Sequence, residues 1–179
     1  TAQLVAAAAS VRVAPAWAKV HYFVCDAQRA CATFEHLDGK LVVHHGQSLP
    51  YPALTNHSYE ASADYANAQK GKAPAGKGSL ERFARVSRAR ADAMLGATAF
   101  AHLDSVSQGA YSVWNIVYLP AQKQIQFRTH ANAAIKTVST AQLGLGCTDT
   151  AKILDLQRAE GGDATRAFVP YTTAANAKL

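Results

Sequence analysis

Phe34-Glu35-His36-Leu37-Asp38-Gly39-Lys40-Leu41-Val42-Val43 is the stretch that decides the fold. An Asp-Gly pair between two β-prone runs predicts a two-residue hairpin, because both turn positions need positive φ and this pair adopts it. The strands are expected over Cys31–Leu37 and Lys40–His45. Toward the N-terminus, Val20–Cys25 is β-branched and aromatic and reads as a third strand. The three form an antiparallel meander. Further out, Thr1–Val11 predicts a helix, with Thr1 as its cap and Leu4, Val5 and Ala8 on one face.

Cys25 and Cys31 flank the polar stretch Asp26–Ala30. Across a hairpin they face each other, and opposed Cα atoms about 4.5–5.5 Å apart lie within disulfide reach. Two buried free thiols are the alternative. With Cys147 the count is odd, so one cysteine stays unpaired.

Toward the C-terminus, Pro50 and Pro52 make 46–52 a loop. A helix is expected over Ser58–Gln69, a surface loop over Lys70–Gly78, and a helix from an N-cap at Ser79 to Leu95, stopped by Gly96. A further helix covers Thr98–Ser107. Val113–Tyr118 and Gln124–Thr129 form a second hairpin around Pro120–Lys123, and a last strand is expected within Ala151–Leu156. Short turns favour hairpins over parallel βαβ units, so the fold class is α+β with antiparallel sheets.

The 179 residues fit one domain, 1–179, and 49% hydrophobic with 17% charged residues fits a globular chain. No apolar run approaches the roughly 20 residues of a membrane span. The net charge is +6, with much of the excess between Lys70 and Arg90. Phe83 is the one aromatic residue among those charges, so a solvated linker and helix face is expected there, and no nucleic-acid partner. The first residue is Thr1, so the numbering is expected to begin after processing or inside a longer gene product.

Pro52-Ala53-Leu54-Thr55-Asn56-His57-Ser58 and Ser79-Leu80-Glu81-Arg82-Phe83 carry the candidate chemistry. A carboxamide such as Asn56 donates to an oxyanion without proton transfer. It is also a common turn or cap residue. Arg82 is expected at the third position of its helix, where a cation opposes the dipole and calls for an anionic partner. The alternative is a surface arginine paired with Glu81 or Asp92. His44 and His45 are consecutive on a strand and point to opposite faces. His36, His57 and His130 lack ligand spacing, so neither metal nor cofactor is expected. Thr1 leads into a helix, which argues against an N-terminal threonine nucleophile.

In order along the chain, His21-Tyr22-Phe23-Val24 with Asp26, the hairpin from Phe34 to Lys40, Leu54-Thr55-Asn56, Ser79 to Phe83, Tyr118 through Phe127-Arg128-Thr129 to Asn132 and Ile135, and Cys147 with Lys152–Leu156 resemble the C-terminal part of the choloylglycine hydrolases. That family includes conjugated bile salt hydrolases and penicillin V acylases. The chain looks nearer the penicillin-acylase-like branch of Gram-negative bacteria. The resemblance implies an N-terminal-nucleophile hydrolase with an αββα sandwich, acting on the linear C–N bond of a small N-acyl amide. Asn56 matches the family's oxyanion asparagine and Arg82 its arginine beside the nucleophile. The nucleophilic cysteine itself lies outside this chain, because Cys25, Cys31 and Cys147 are internal and have no free α-amine. An N-terminal segment carrying it is the expected partner. The alternative is a truncated, non-catalytic hydrolase-like domain that binds or assembles. A lone chain is expected to leave a sheet edge and an apolar face uncovered, and a homo-oligomer is expected. The compartment is expected to be periplasmic or otherwise extracytoplasmic, with the cytoplasm as the alternative.

Overall fold

A computed structural model of the chain describes residues 1–11, 20–88, 97–144, 146–157 and 160–177. They fall into two compact units, Thr1–Met94 and Leu95–Leu179. Both mix helices with antiparallel strands, as the α+β reading anticipates.

The first unit opens with α1 (Ala2–Ala8). Thr1 stands at the N-cap position, but its hydroxyl donates to the Ala30 carbonyl at 2.7 Å and makes no cap bond. Its expected capping role is therefore replaced by a tie to the first hairpin. The strands β1 (Tyr22–Cys25), β2 (Cys31–Leu37) and β3 (Lys40–His45) pair in that order, all antiparallel. Asp38 and Gly39 take φ of 50° and 76°, as the hairpin reading requires. Cys25 stands opposite Cys31 in the ladder and the two are bonded, with Cα atoms 4.1 Å apart. That decides between the two readings of this pair. Asp26 shapes the turn between them by accepting the N–H groups of Gln28 and Ala30, both at 3.0 Å.

Strand alternation puts Cys31, Thr33, Glu35 and Leu37 of β2 on one face. α2 (Tyr59–Ala68) and α3 (Ser79–Val86) supply the side chains that meet it. α2 buries Tyr59, Ser62, Ala63 and Ala66 along one stripe, and α3 buries Phe83 and Ala84. The small residues let the two helices approach, and Leu49 and Ala53 complete the core. The rings of Tyr51 and Tyr59 meet Phe83 edge-on, a favoured aromatic geometry. The helix expected over Ser58–Gln69 has those two residues as its caps, and Ser58 accepts from the Ala61 N–H at 3.4 Å. α3 differs from expectation at both ends. Its N-cap is Gly78, so Ser79 is the first helical residue and Arg82 the fourth. The described helix ends at Val86, with Ser87 as C-cap. The expected continuation to Leu95 and the stop at Gly96 fall on residues outside those described, apart from Ser87 and Arg88, which form a turn.

The cationic stretch between Lys70 and Arg88 is partly occupied by the chain itself. Arg85 donates to the carbonyls of Pro74 and Gly76 at 2.7 and 2.9 Å, and Arg88 to that of Gln69 at 2.7 Å. These bonds pin the loop 70–78 against α3.

The second unit begins with α4 (Ala97–Ser105) and a sheet of β4 (Trp114–Leu119), β5 (Gln124–Thr129), β6 (Lys136–Ser139) and β8 (Gly162–Asp163). β4, β5 and β6 are antiparallel, whereas β8 runs parallel to β6. This pair departs from the all-antiparallel expectation; the connection over 140–161 is long enough to bring the chain back in the same direction. β7 (Lys152–Ile153) pairs with β9 (Val169–Pro170), and α5 (Thr173–Asn176) follows. The expected strand over Ala151–Leu156 is thus reduced to its first half, while Leu154 and Leu156 turn onto Phe127, Val138 and Ala164. Val117 packs with Ala99 and Phe100 of α4. On the other face of β4, Trp114, Ile116 and Tyr118 are exposed. No described helix is long and apolar enough to cross a membrane.

Candidate active site

The first unit brings Asn56 and Arg82 together, although 26 residues separate them. The connecting architecture is local and polar. Pro50 and Pro52 keep the chain after β3 out of the sheet, and 52–55 run without regular pairing. The segment then lies along the start of α3. Thr55 Oγ1 donates to the Ser79 carbonyl at 3.1 Å, Ser79 Oγ donates to Thr55 Oγ1 at 3.0 Å, and the His57 N–H donates to Ser79 Oγ at 3.1 Å. One serine therefore holds the residues on both sides of Asn56. Reading Ser79 only as a cap missed this role; a serine at the first helical turn facing a Thr-Asn pair was the available signal.

Arg82 projects from the next turn of α3, and its Nη2 donates to Asn56 Oδ1 at 2.6 Å. Guanidinium has donors and no acceptor, so the atom it meets must be the carboxamide oxygen. The bond fixes the amide's orientation and leaves both Nδ2 hydrogens available to a further acceptor. Arg82 Nε is buried and has no hydrogen-bond partner among the described residues. An unmade bond from a buried cationic donor is costly. Asn56 itself is exposed. The pair thus offers an accessible neutral donor backed by a fixed positive charge. The expected alternative partner, Glu81, instead accepts from the Tyr65 hydroxyl at 3.4 Å; Asp92 lies outside the described residues.

The support continues into the sheet. Glu35 is 1% exposed, and its carboxylate accepts the Tyr59 N–H at 3.0 and 3.1 Å. His21 Nδ1 lies 3.0 Å from Glu35 Oε1. The Tyr59 ring lies 4.7 Å from the His44 ring, tilted by 40°, and its hydroxyl accepts the Tyr51 N–H at 3.1 Å. Burial raises the Tyr59 phenol pKa above 10.0, against the smaller lowering by that Tyr51 N–H. Glu35 was passed over in the sequence; an acid at an inward-facing strand position was the signal for it. Among the described residues, no group of three metal-ligating side chains forms.

No protein-family model matches the chain, and no curated protein sequence matches it. Among solved structures the chain is similar to penicillin V acylase from Agrobacterium tumefaciens, with a TM-score of 0.78 and 19% sequence identity. The match covers 96% of this chain and 62% of that one, so the chain spans less than two thirds of the acylase's length. A likeness of that kind establishes a shared fold.

Proposed function

We propose that this chain supplies the transition-state half of a linear amide hydrolase of the penicillin V acylase or conjugated bile salt hydrolase type. The nucleophile is an N-terminal cysteine on a segment outside these 179 residues. The substrate is a small N-acyl amide. The observation that carries the reading is the Arg82–Asn56 bond, which fixes an exposed carboxamide by its oxygen beside a buried arginine nitrogen that has no partner among the described residues. The fold shared with penicillin V acylase supports it.

In this mechanism the cysteine thiolate adds to the amide carbonyl and the carbonyl electron pair moves to oxygen. The Asn56 Nδ2 hydrogens donate to that oxyanion, where a positioned donor contributes most. The Arg82 charge favours the thiolate over the thiol. The cysteine α-amine carries the thiol proton to the leaving nitrogen, a task suited to its ordinary pKa of about 7.7–8.0. The amine departs, a thioester is left, and water releases the acid. No cofactor takes part. The Cys25–Cys31 disulfide supports an extracytoplasmic, periplasmic setting.

Intact mass and N-terminal sequencing of the native assembly, before and after brief exposure to penicillin V, test the reading. The expected result is a polypeptide beginning with cysteine that gains the mass of the acyl group. Turnover by an assembly with no N-terminal cysteine, or an adduct on Cys147, contradicts it.

A further inference from the structure

Asn56 sits in a segment whose two ends are joined by one residue. The Tyr51 N–H donates to the Tyr59 hydroxyl at 3.1 Å, and Tyr59's own N–H donates to Glu35. Tyr59 is 2% exposed and is locked between His44 and Phe83. It is also the first residue of α2, whose opening N–H groups have no partner within the helix. A buried carboxylate needs several donors to offset its lost hydration. Glu35 finds them in that N–H and in His21, and its negative charge complements the positive end of α2. The sheet thus delivers an anion to the helix start three residues beyond Asn56.

We infer that Glu35 is a positioning residue for Asn56, acting through Tyr59; the inference rests on Asn56 being the oxyanion donor proposed above. Ser79 fixes Thr55 and His57 from the α3 side, and Glu35 fixes Tyr59 from the sheet side. Between those anchors the Asn56 carboxamide keeps its place against Arg82. Without Glu35, the Tyr59 N–H at the start of α2 loses its acceptor, and the sheet-side anchor of the segment 51–59 is reduced to the packing of the Tyr59 ring. Glu35 touches no reacting atom.

Two readouts test this. In the 179-residue chain, 15N-resolved NMR of the Asn56 side-chain amide, assigned by its loss in Asn56→Asp, reports the carboxamide directly. Glu35→Ala is expected to shift or broaden that pair and leave the Asn115 amide unchanged. Glu35→Gln keeps an acceptor for the Tyr59 N–H and is expected to restore it. Tyr59→Phe, which removes only the tie to Tyr51, is expected to move the Asn56 pair less; Glu35→Leu, which fills a similar space but offers the Tyr59 N–H no acceptor, answers the question if Glu35→Ala does not fold. In the assembly carrying the nucleophile, displacing a catalytic group by about 1 Å costs on the order of 10²-fold. Glu35→Ala is therefore expected to lower kcat by about that factor, with KM nearly constant and recovery in Glu35→Gln. An unperturbed Asn56 amide in a folded Glu35→Ala or Glu35→Leu protein overturns the inference. A perturbed amide with an unchanged kcat upholds the anchor and overturns the assignment of Asn56 as oxyanion donor.

Discussion

The loop around Asn56 and the strand β4 treat their unpaired groups in opposite ways. Around Asn56, hydroxyls and a carboxylate from β2, α2 and α3 fix the backbone on both sides and an arginine holds the side chain, and what is left open among the described residues is one carboxamide and one buried arginine nitrogen. Along β4 and the residues leading into it, five large residues are exposed within eight positions: Tyr111 at 89% and Val113 at 51% before the strand, and Trp114 at 60%, Ile116 at 37% and Tyr118 at 65% on it. β4 is also the edge of its sheet, paired only to β5 among the described residues. The comparison separates two kinds of incompleteness. The first is small, polar and pre-oriented, which suits a reacting group. The second is broad and apolar, which suits more polypeptide.

Deleting the packing beneath the first region is the harshest way to break the contrast. Phe83 is fully buried where α3 meets Tyr51 and Tyr59. Phe83→Ala is expected to cost about 3–5 kcal/mol, read as a lowered midpoint in urea unfolding. A loss below about 1 kcal/mol would mean that the polar clamps, and not this core, hold the site.

Charging the second region sharpens it with less effect on folding. The strand Trp114–Leu119 carries no charged residue, and edges are normally guarded by lysine or proline. Trp114→Lys combined with Tyr118→Lys is expected to shift the isolated chain toward monomer in sedimentation velocity, with unfolding free energy changed by about 0.5 kcal/mol per site or less. Unchanged association would place self-contact elsewhere.

The gentlest probe is pH. Burial raises the Tyr59 pKa above 10.0, so the folded chain holds this proton more tightly than the unfolded chain. Its contribution is intact below pH 10 and is lost as pH rises through the raised folded value. Stability measured from pH 9 upward is expected to fall in wild type and to fall less in Tyr59→Phe.

The residues show why some of this was legible in advance. Asp38-Gly39 and the β-prone runs beside it announce β1 to β3, because a turn that demands positive φ leaves few alternatives. Asn56 and Arg82 stand out by residue type and surroundings and take their expected roles from the family resemblance, and the structure brings them into contact. β6 was missed because it has four residues and spends an inward position on Lys136. That side chain is fully buried, donates to the Ala134 carbonyl at 3.3 Å and lies 5.7 Å from the Phe127 ring centre. No strand propensity anticipates a buried lysine. The parallel β6–β8 pair was missed because it depends on where a long connection returns. Ser79 was misread as a cap because a serine opening a helix has two uses, and the choice depends on Thr55 and His57, more than twenty residues away.

The account turns on the carboxamide of Asn56, and the rate of amide hydrolysis by the assembly carrying the N-terminal cysteine tests it most directly. With penicillin V as substrate, Asn56→Ala is expected to lower kcat by about 10²–10³-fold, the loss typical of a removed oxyanion donor. KM and the thermal midpoint are expected to change little. An Asn56→Ala protein that hydrolyses the amide at the wild-type kcat would contradict the account.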